Sequence, residues 1–117
     1  MDDAEFRAAV ANPDGVFLVA QKGSDLVGFV YANANDVERS EARQWSCIIY
    51  IVVAPKWRRA GVAQALYTAC TEALARRGVT HVYAWASAES PAILAFMRRM
   101  GFAVGHTYVW VDRRIAP

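Results

Sequence analysis

At 117 residues with no shift in composition along its length, the chain is sized for a single domain covering residues 1–117. Apolar residues make up 56% and charged residues 21%, a balance that supplies a core and argues against disorder. A net charge of only +2 argues against a general attraction to nucleic acid or to an anionic membrane.

In chain order, residues 2 to 11 place acids in the first turn and Phe6, Ala9 and Val10 at helical spacing, which predicts a short helix closed by "NPDG". "VFLVAQ", the turn "KGSD" and "LVGFVYAN" then predict an antiparallel hairpin over residues 16 to 33, with Gly28 marking a bulge or a close approach. After the polar loop "ANDVERSEAR", the run "QWSCIIYIVV" has the length and β-branched content of a central strand buried on both faces. From Gly61, the positions Val62, Leu66, Ala69, Cys70, Ala73 and Leu74 follow helical period as far as "RRG". "VTHVYAWA" predicts a strand parallel to the previous one, completing a βαβ unit by a right-handed crossover. Ser90 and Pro91 supply an N-cap and a first-turn proline for a helix ending at Gly101, and "FAVGHTYVWVDRR" predicts one or two closing strands broken at Gly105.

Cys47 and Cys70 lie in apolar patterns without metal spacing, so buried thiols in a reducing compartment are expected and no metal is. No apolar stretch approaches the roughly 20 residues that span a bilayer, and the acidic start "MDDAEF" is unlike a signal peptide. A cytoplasmic protein with no membrane or nucleic-acid partner is expected. The arginine pairs Arg58/Arg59, Arg76/Arg77, Arg98/Arg99 and Arg113/Arg114 carry no base-stacking module with them, and for most of them a solvated helix end or tail is the simpler reading.

The junction "VVAPKWRRAGVAQALYTAC" is where chemistry concentrates. It joins a buried strand to the N-terminus of the long helix, whose first amide N–H groups have no intrahelical acceptor and sit at the positive end of the helix dipole. With Arg58 and Arg59 beside them, and Gly61 allowing close approach to the backbone, they suit a phosphate or pyrophosphate. A lone glycine beside arginines is ordinarily just a solvated turn. Here a βαβ unit, a proline, an arginine, a glycine and an alanine coincide, while the G-x-G-x-x-G and P-loop patterns are both absent.

The segment "RRAGVA" resembles the acetyl-CoA motif of the GNAT superfamily of N-acetyltransferases, Arg/Gln-x-x-Gly-x-Gly/Ala, through Arg58, Gly61 and Ala63. "IVVAP" before it and "SPAILAFMRRMGF" after it extend the resemblance over residues 15 to 110. It implies an α+β fold with a mixed, splayed central β-sheet flanked by helices, opening between the strand ending at Val53 and the strand ending near Ala86. Acetyl-CoA would be the cosubstrate. The backbone of Ile51, Val52 and Val53 would pair with its pantetheine amides. Arg58, Arg59, Ala60, Gly61, Val62, Ala63 and Gln64 would hold its pyrophosphate, and Ser90 and Met97 of the later helix would be cofactor-binding as well. The implied activity is transfer of an acetyl group to a primary amine of a small molecule or peptide: the amine attacks, a base or water chain takes its proton, and an acid protonates the thiolate.

Several positions depart from the family's pattern. The family's frequent tyrosine acid falls on Met97, two alternative glutamate bases fall on Cys47 and Trp85, and the asparagine opening the later helix falls on Ser90, whose simplest role is N-cap. Tyr50, Tyr83, Tyr108, His81, His106, Ser87 and Glu89 remain as candidates, none singled out, so the catalytic residues stay unassigned. These departures leave a non-catalytic acyl-CoA-binding or regulatory module as the alternative function. About ten residues precede the hairpin, where the family has a strand and one or two helices; an exposed sheet edge there would favour a homodimer. The acceptor is expected to be selected by loops such as residues 34 to 44.

Overall fold

The structure of the protein, a computed structural model, describes residues 2–33, 44–107 and 109–117. The backbone forms two compact units, Met1–Trp85 and Ala86–Pro117.

The first unit opens with helix α1, Asp3–Ala11. Asp2 and Glu5 close a reciprocal capping box: the Asp2 carboxylate accepts from Glu5 N at 2.8 Å and the Glu5 carboxylate from Asp2 N at 3.0 Å. Strands β1 (Gly15–Lys22) and β2 (Asp25–Asn33) form the expected antiparallel hairpin, and β2 pairs antiparallel with β3 (Trp45–Val53). A 3-10 turn, Pro55–Trp57, leads to helix α2, Val62–Arg76, and then to β4, His81–Tyr83, which lies parallel to β3. The sheet order is β1-β2-β3-β4, a mixed sheet of the α+β class.

Two bulges set the faces of this sheet. Opposite Ala20 and Gln21, Val27 is the extra residue of β2; opposite Tyr31 and Ala32, Ile49 is the extra residue of β3. Val16, Val30, Ala32 and Ile48 therefore share the α2 face with Leu66, Cys70 and Leu74, all of them buried. Gly28 lies on this face too, where a Cβ would stand 2.6 Å from the Val52 carbonyl oxygen and 3.2 Å from Leu66 Cδ1. The close approach expected at Gly28 is thus between two strands and a helix. The opposite face is aromatic: Phe6 of α1 meets Phe17 edge-on at 5.3 Å, and Phe17 stacks on Phe29 at 5.5 Å.

In the second unit, helix α3 spans Pro91–Arg99. Gly101, at φ 94°, lets Phe102 N reach the Met97 carbonyl at 3.1 Å while Gly101 N reaches Arg98 O at 3.0 Å. Helix α2 ends the same way: Gly78 is at φ 86°, with Val79 N on Leu74 O and Gly78 N on Ala75 O.

Four expectations are corrected. Strand β3 is central but not buried on both faces: only Ser46 and Ile48 are buried, and Ile49 and Val52 are 44% and 42% exposed. Among the described residues of the first unit, one nine-residue helix, α1, packs on the aromatic face and leaves part of it exposed. The fourth strand is confined to His81–Tyr83 of the predicted residues 79 to 86, because its ladder with β3 runs only from Trp45↔His81 to Cys47↔Tyr83. Past Tyr83 the ladder with β3 does not continue. Residues 102–107 and 109–117 form no strand, and Val109, Trp110 and Val111 are at least 83% exposed. Alternating apolar residues suit a strand, but the described residues of their unit include no other strand to pair with. Finally, Ser90 occupies the N-cap of α3 without a side-chain capping bond.

Candidate active site

Beyond its ladder with β4, strand β3 has an edge that faces away from β2. Ala54 N donates to Val27 O at 2.8 Å, and the Val52 carbonyl faces Gly28, so both groups point toward β2. Alternation along the strand turns the N–H and C=O of Ile51 and Val53 to the opposite edge. There β4 is no longer paired, its ladder having ended at Cys47. The Val53 carbonyl accepts from Arg58 Nε at 3.2 Å, which ties the guanidinium to the end of the strand. The side chains of Ile51 and Val53 fall on the α2 face, and that of Val52 on the aromatic face.

The junction follows directly. The Lys56 ammonium sits over the Trp57 ring at 5.5 Å, so this cation is held by its own neighbour. Arg59 adopts φ 65° and Gly61 φ 81°. A left-handed arginine is unusual and costs about 1–2 kcal/mol. Gly61 is the N-cap of α2, has no side-chain capping bond, and is followed by a first turn without acidic residues. Ala65 N is bonded to Gly61 O at 3.0 Å, which leaves the amides of Val62, Ala63 and Gln64 as the helix's orphan donors. Arg58, Arg59 and Ala60 are exposed beside them. A run of backbone N–H groups in this conformation makes a concave anion site.

On the aromatic face, a cleft of about 410 Å³ lies between α1 and the sheet, lined by Glu5, Ala8, Ala9, Asn12, Tyr31 and Tyr50. Asn12 Nδ2 donates to Tyr31 Oη at 2.9 Å, and Tyr31 pairs across the strands with Tyr50. Of these residues the sequence offers only Tyr50 as a candidate for the site. Asp2 and Glu5 at capping-box spacing, and Phe17, Phe29 and Tyr31 at period two, were visible signals; the Asn12 to Tyr31 contact had none.

Residues 1–102 match the acetyltransferase (GNAT) family profile. The chain belongs to this family. An uncharacterized N-acetyltransferase of Methanocaldococcus jannaschii is 33% identical over 97 residues, covering 83% of this chain but 43% of that protein, so the chain spans less than half the length of this relative. Among solved structures, the aminoglycoside N-acetyltransferase AAC(6')-Iy in complex with CoA superposes with a TM-score of 0.81 at 18% identity, over 95% of this chain and 84% of that one. An aminoglycoside acetyltransferase, meta-AAC0020, from an uncultured soil metagenomic sample, in complex with sisomicin, gives a TM-score of 0.78 at 17% identity, over 99% and 76%. At these identities the likeness speaks for the fold.

The candidate residues of this GNAT chain are divided between its two units. Ile51, Val52, Val53 and Arg58 through Gln64 are contiguous in the first unit, whereas Ser90 and Met97 belong to the second, at the start and middle of α3. Cys47 pairs with Tyr83, and Trp85 is 70% exposed and edge-on to Tyr83 at 6.2 Å. His81 stacks on Trp45 at 4.7 Å and its Nδ1 meets Thr80 Oγ1 at 2.8 Å. In the second unit Ser87 Oγ accepts from Glu89 N at 3.2 Å, and His106 is exposed. Tyr108 and loop residues 34–43 lie outside the described residues. No group of three or more metal-binding side chains occurs among the described residues.

Proposed function

We propose that residues 1–117 act as one GNAT domain that transfers an acetyl group from acetyl-CoA to a primary amine of a small molecule or peptide. The observation that carries this reading is the junction loop: left-handed Arg59 and Gly61 open an uncapped, fifteen-residue helix at the end of a strand with a free edge. The donor set fits a pyrophosphate. The amides of Val62, Ala63 and Gln64 would take its oxygens, Arg58 and Arg59 would balance its charge, and a Cβ at Gly61 would meet nothing within 4 Å, so ligand approach is open.

Acetyl-CoA, when bound, supplies an acyl group on a thiolate leaving group. This chain's residues would bind and position. The outward N–H groups of Ile51 and Val53 would align the pantetheine arm as an added strand, and β3 amides would orient the acyl carbonyl. Holding an amine against that carbonyl accounts for rate without a dedicated acid. No helix among the described residues is long and apolar enough to cross a membrane. Two free cysteines suit the cytoplasm, where acetyl-CoA is available.

Calorimetric titration of acetyl-CoA tests this. The native chain is expected to bind and Gly61→Glu, which sets a negative charge and bulk among the orphan amides, is expected not to. Absence of binding by the native chain would overturn the reading. The second reading, an acyl-CoA-binding module without catalysis, is favoured by Met97, Cys47 and Trp85 at the family's acid and base positions. It predicts binding with no release of free thiol across a panel of small amines, amino acids and peptides.

A further inference from the structure

The geometry points to the cleft beneath α1 as the acceptor pocket, and to a small hydroxylated aliphatic ammonium compound, an amino alcohol, as its ligand; this rests on the acetyl-transfer reading above. The cleft adjoins the proposed acyl site through β3, since Tyr50 lines it and directly follows the bulged Ile49 on the strand whose free edge begins at Ile51. At about 410 Å³ it lies toward the small end of small-molecule sites. A peptide acceptor would need a longer groove.

Its chemistry selects a cation that also carries an oxygen. Glu5 lines the cleft with a carboxylate that also accepts from Asp2 N, and Tyr31 and Tyr50 line it with aromatic rings, a chemistry that favours an ammonium group. The hydroxyl of Tyr31 adds the second requirement. Asn12 Oδ1 accepts from Asp14 N at 3.0 Å, which fixes the amide so that Nδ2, a donor, faces Tyr31 Oη at 2.9 Å. The Tyr31 oxygen is therefore an acceptor toward Asn12, and its own proton is left to be donated to another acceptor, such as a ligand hydroxyl in the cleft. Gly15 protects the arrangement, because a Cβ there would stand 2.8 Å from Tyr31 Cε1 and 3.3 Å from Asn12 Nδ2.

The test titrates the full ¹⁵N-labelled chain with ethanolamine, serinol and glucosamine, with ethylene glycol and glucose as uncharged counterparts and a tripeptide as the larger amine. Saturable shifts at the amides of Asn12, Tyr31 and Tyr50 are expected with at least one of the three small amines and with none of the others. Glu5→Gln keeps the capping box and removes the charge, and is expected to weaken that binding about tenfold. Tyr31→Phe keeps the ring and removes the proton, and is expected to weaken it severalfold. In both variants the Kd for acetyl-CoA stays at the native value. No shift with any amine, shifts away from the cleft, or an amine Kd unchanged in both variants would overturn the proposal. Failure of the native chain to bind acetyl-CoA would instead sink the transferase reading, and the amine titration would still decide the pocket.

Discussion

On the α2 side of the sheet Val30, Ala32 and Cys70 are 0% exposed and Leu74 1%, whereas on the α1 side Phe6 and Val52 keep 42% of their surface and Val19 49%. The same strands build both sides, so the contrast lies in what covers them. A fifteen-residue helix lays Leu66, Cys70 and Leu74 into an aliphatic layer, with Gly28 removing the one Cβ that would hold helix and strand apart. A nine-residue helix covers the other side through aromatic edges and leaves a cleft. Close packing on one face holds the fold. The looser face leaves the cleft open beneath α1.

The largest effect should come from truncation on the tight side. Leu74→Ala is expected to cost about 2–5 kcal/mol in denaturant unfolding, and Phe6→Ala clearly less although it removes a larger side chain. Equal costs would erase the distinction between the faces. Next in size is Gly28→Ala, where the new methyl meets a backbone oxygen that cannot turn aside; about 1–3 kcal/mol is expected, with weaker acetyl-CoA binding as β3 shifts. The matching change on the open side, Gly15→Ala, presses on a side chain and should appear mainly as weaker amine binding. Asp2→Ala removes half of the α1 capping box and is expected to cost about 1 kcal/mol, measured by thermal unfolding.

The smallest effect is a pH dependence. Burial pushes the Cys70 thiol up to about 11 from 9.0, and the Tyr67 phenol is raised by burial and then by the Cys70 thiolate. Above pH 9 the unfolded chain gives up a proton that the folded chain retains. The Cys70 contribution is therefore complete below pH 9 and is lost as pH rises toward 11. Urea unfolding from pH 8 to 11 should show this decline, with a shallower slope in Cys70→Ala.

The local grammar of the chain was legible. "RRGV" and "RRMGF" each end a helix through a left-handed glycine, and the hairpin and βαβ order follow from period and turn residues alone. What pairs with what was less so. The sequence from 79 to 86 is strand-like throughout, yet only three residues find a partner on β3, and the alternation after Phe102 finds none in its unit. At the site, the glycine and arginine of the loop were readable by type and spacing. The left-handed turn of Arg59 and the hold of Arg58 on Val53 O were not, because both depend on where the preceding strand ends. The cleft depends on contacts between residues as distant as Asn12 and Tyr31.

Ile49 also acts as a frameshift within a strand. Before it, even-numbered Ser46 and Ile48 face α2; after it, odd-numbered Ile51 and Val53 do, while Tyr50 turns to the cleft. The two halves of β3 are thereby put in opposite phase, one keyed to its ladder with β4 and the other lying beyond the end of that ladder. Deleting that one residue would make Ile48, Tyr50 and Ile51 consecutive partners of Ala32, Tyr31 and Val30, so each would keep its face. What the insertion adds is a local bend and twist in the strand, not the choice of which side chains meet α2.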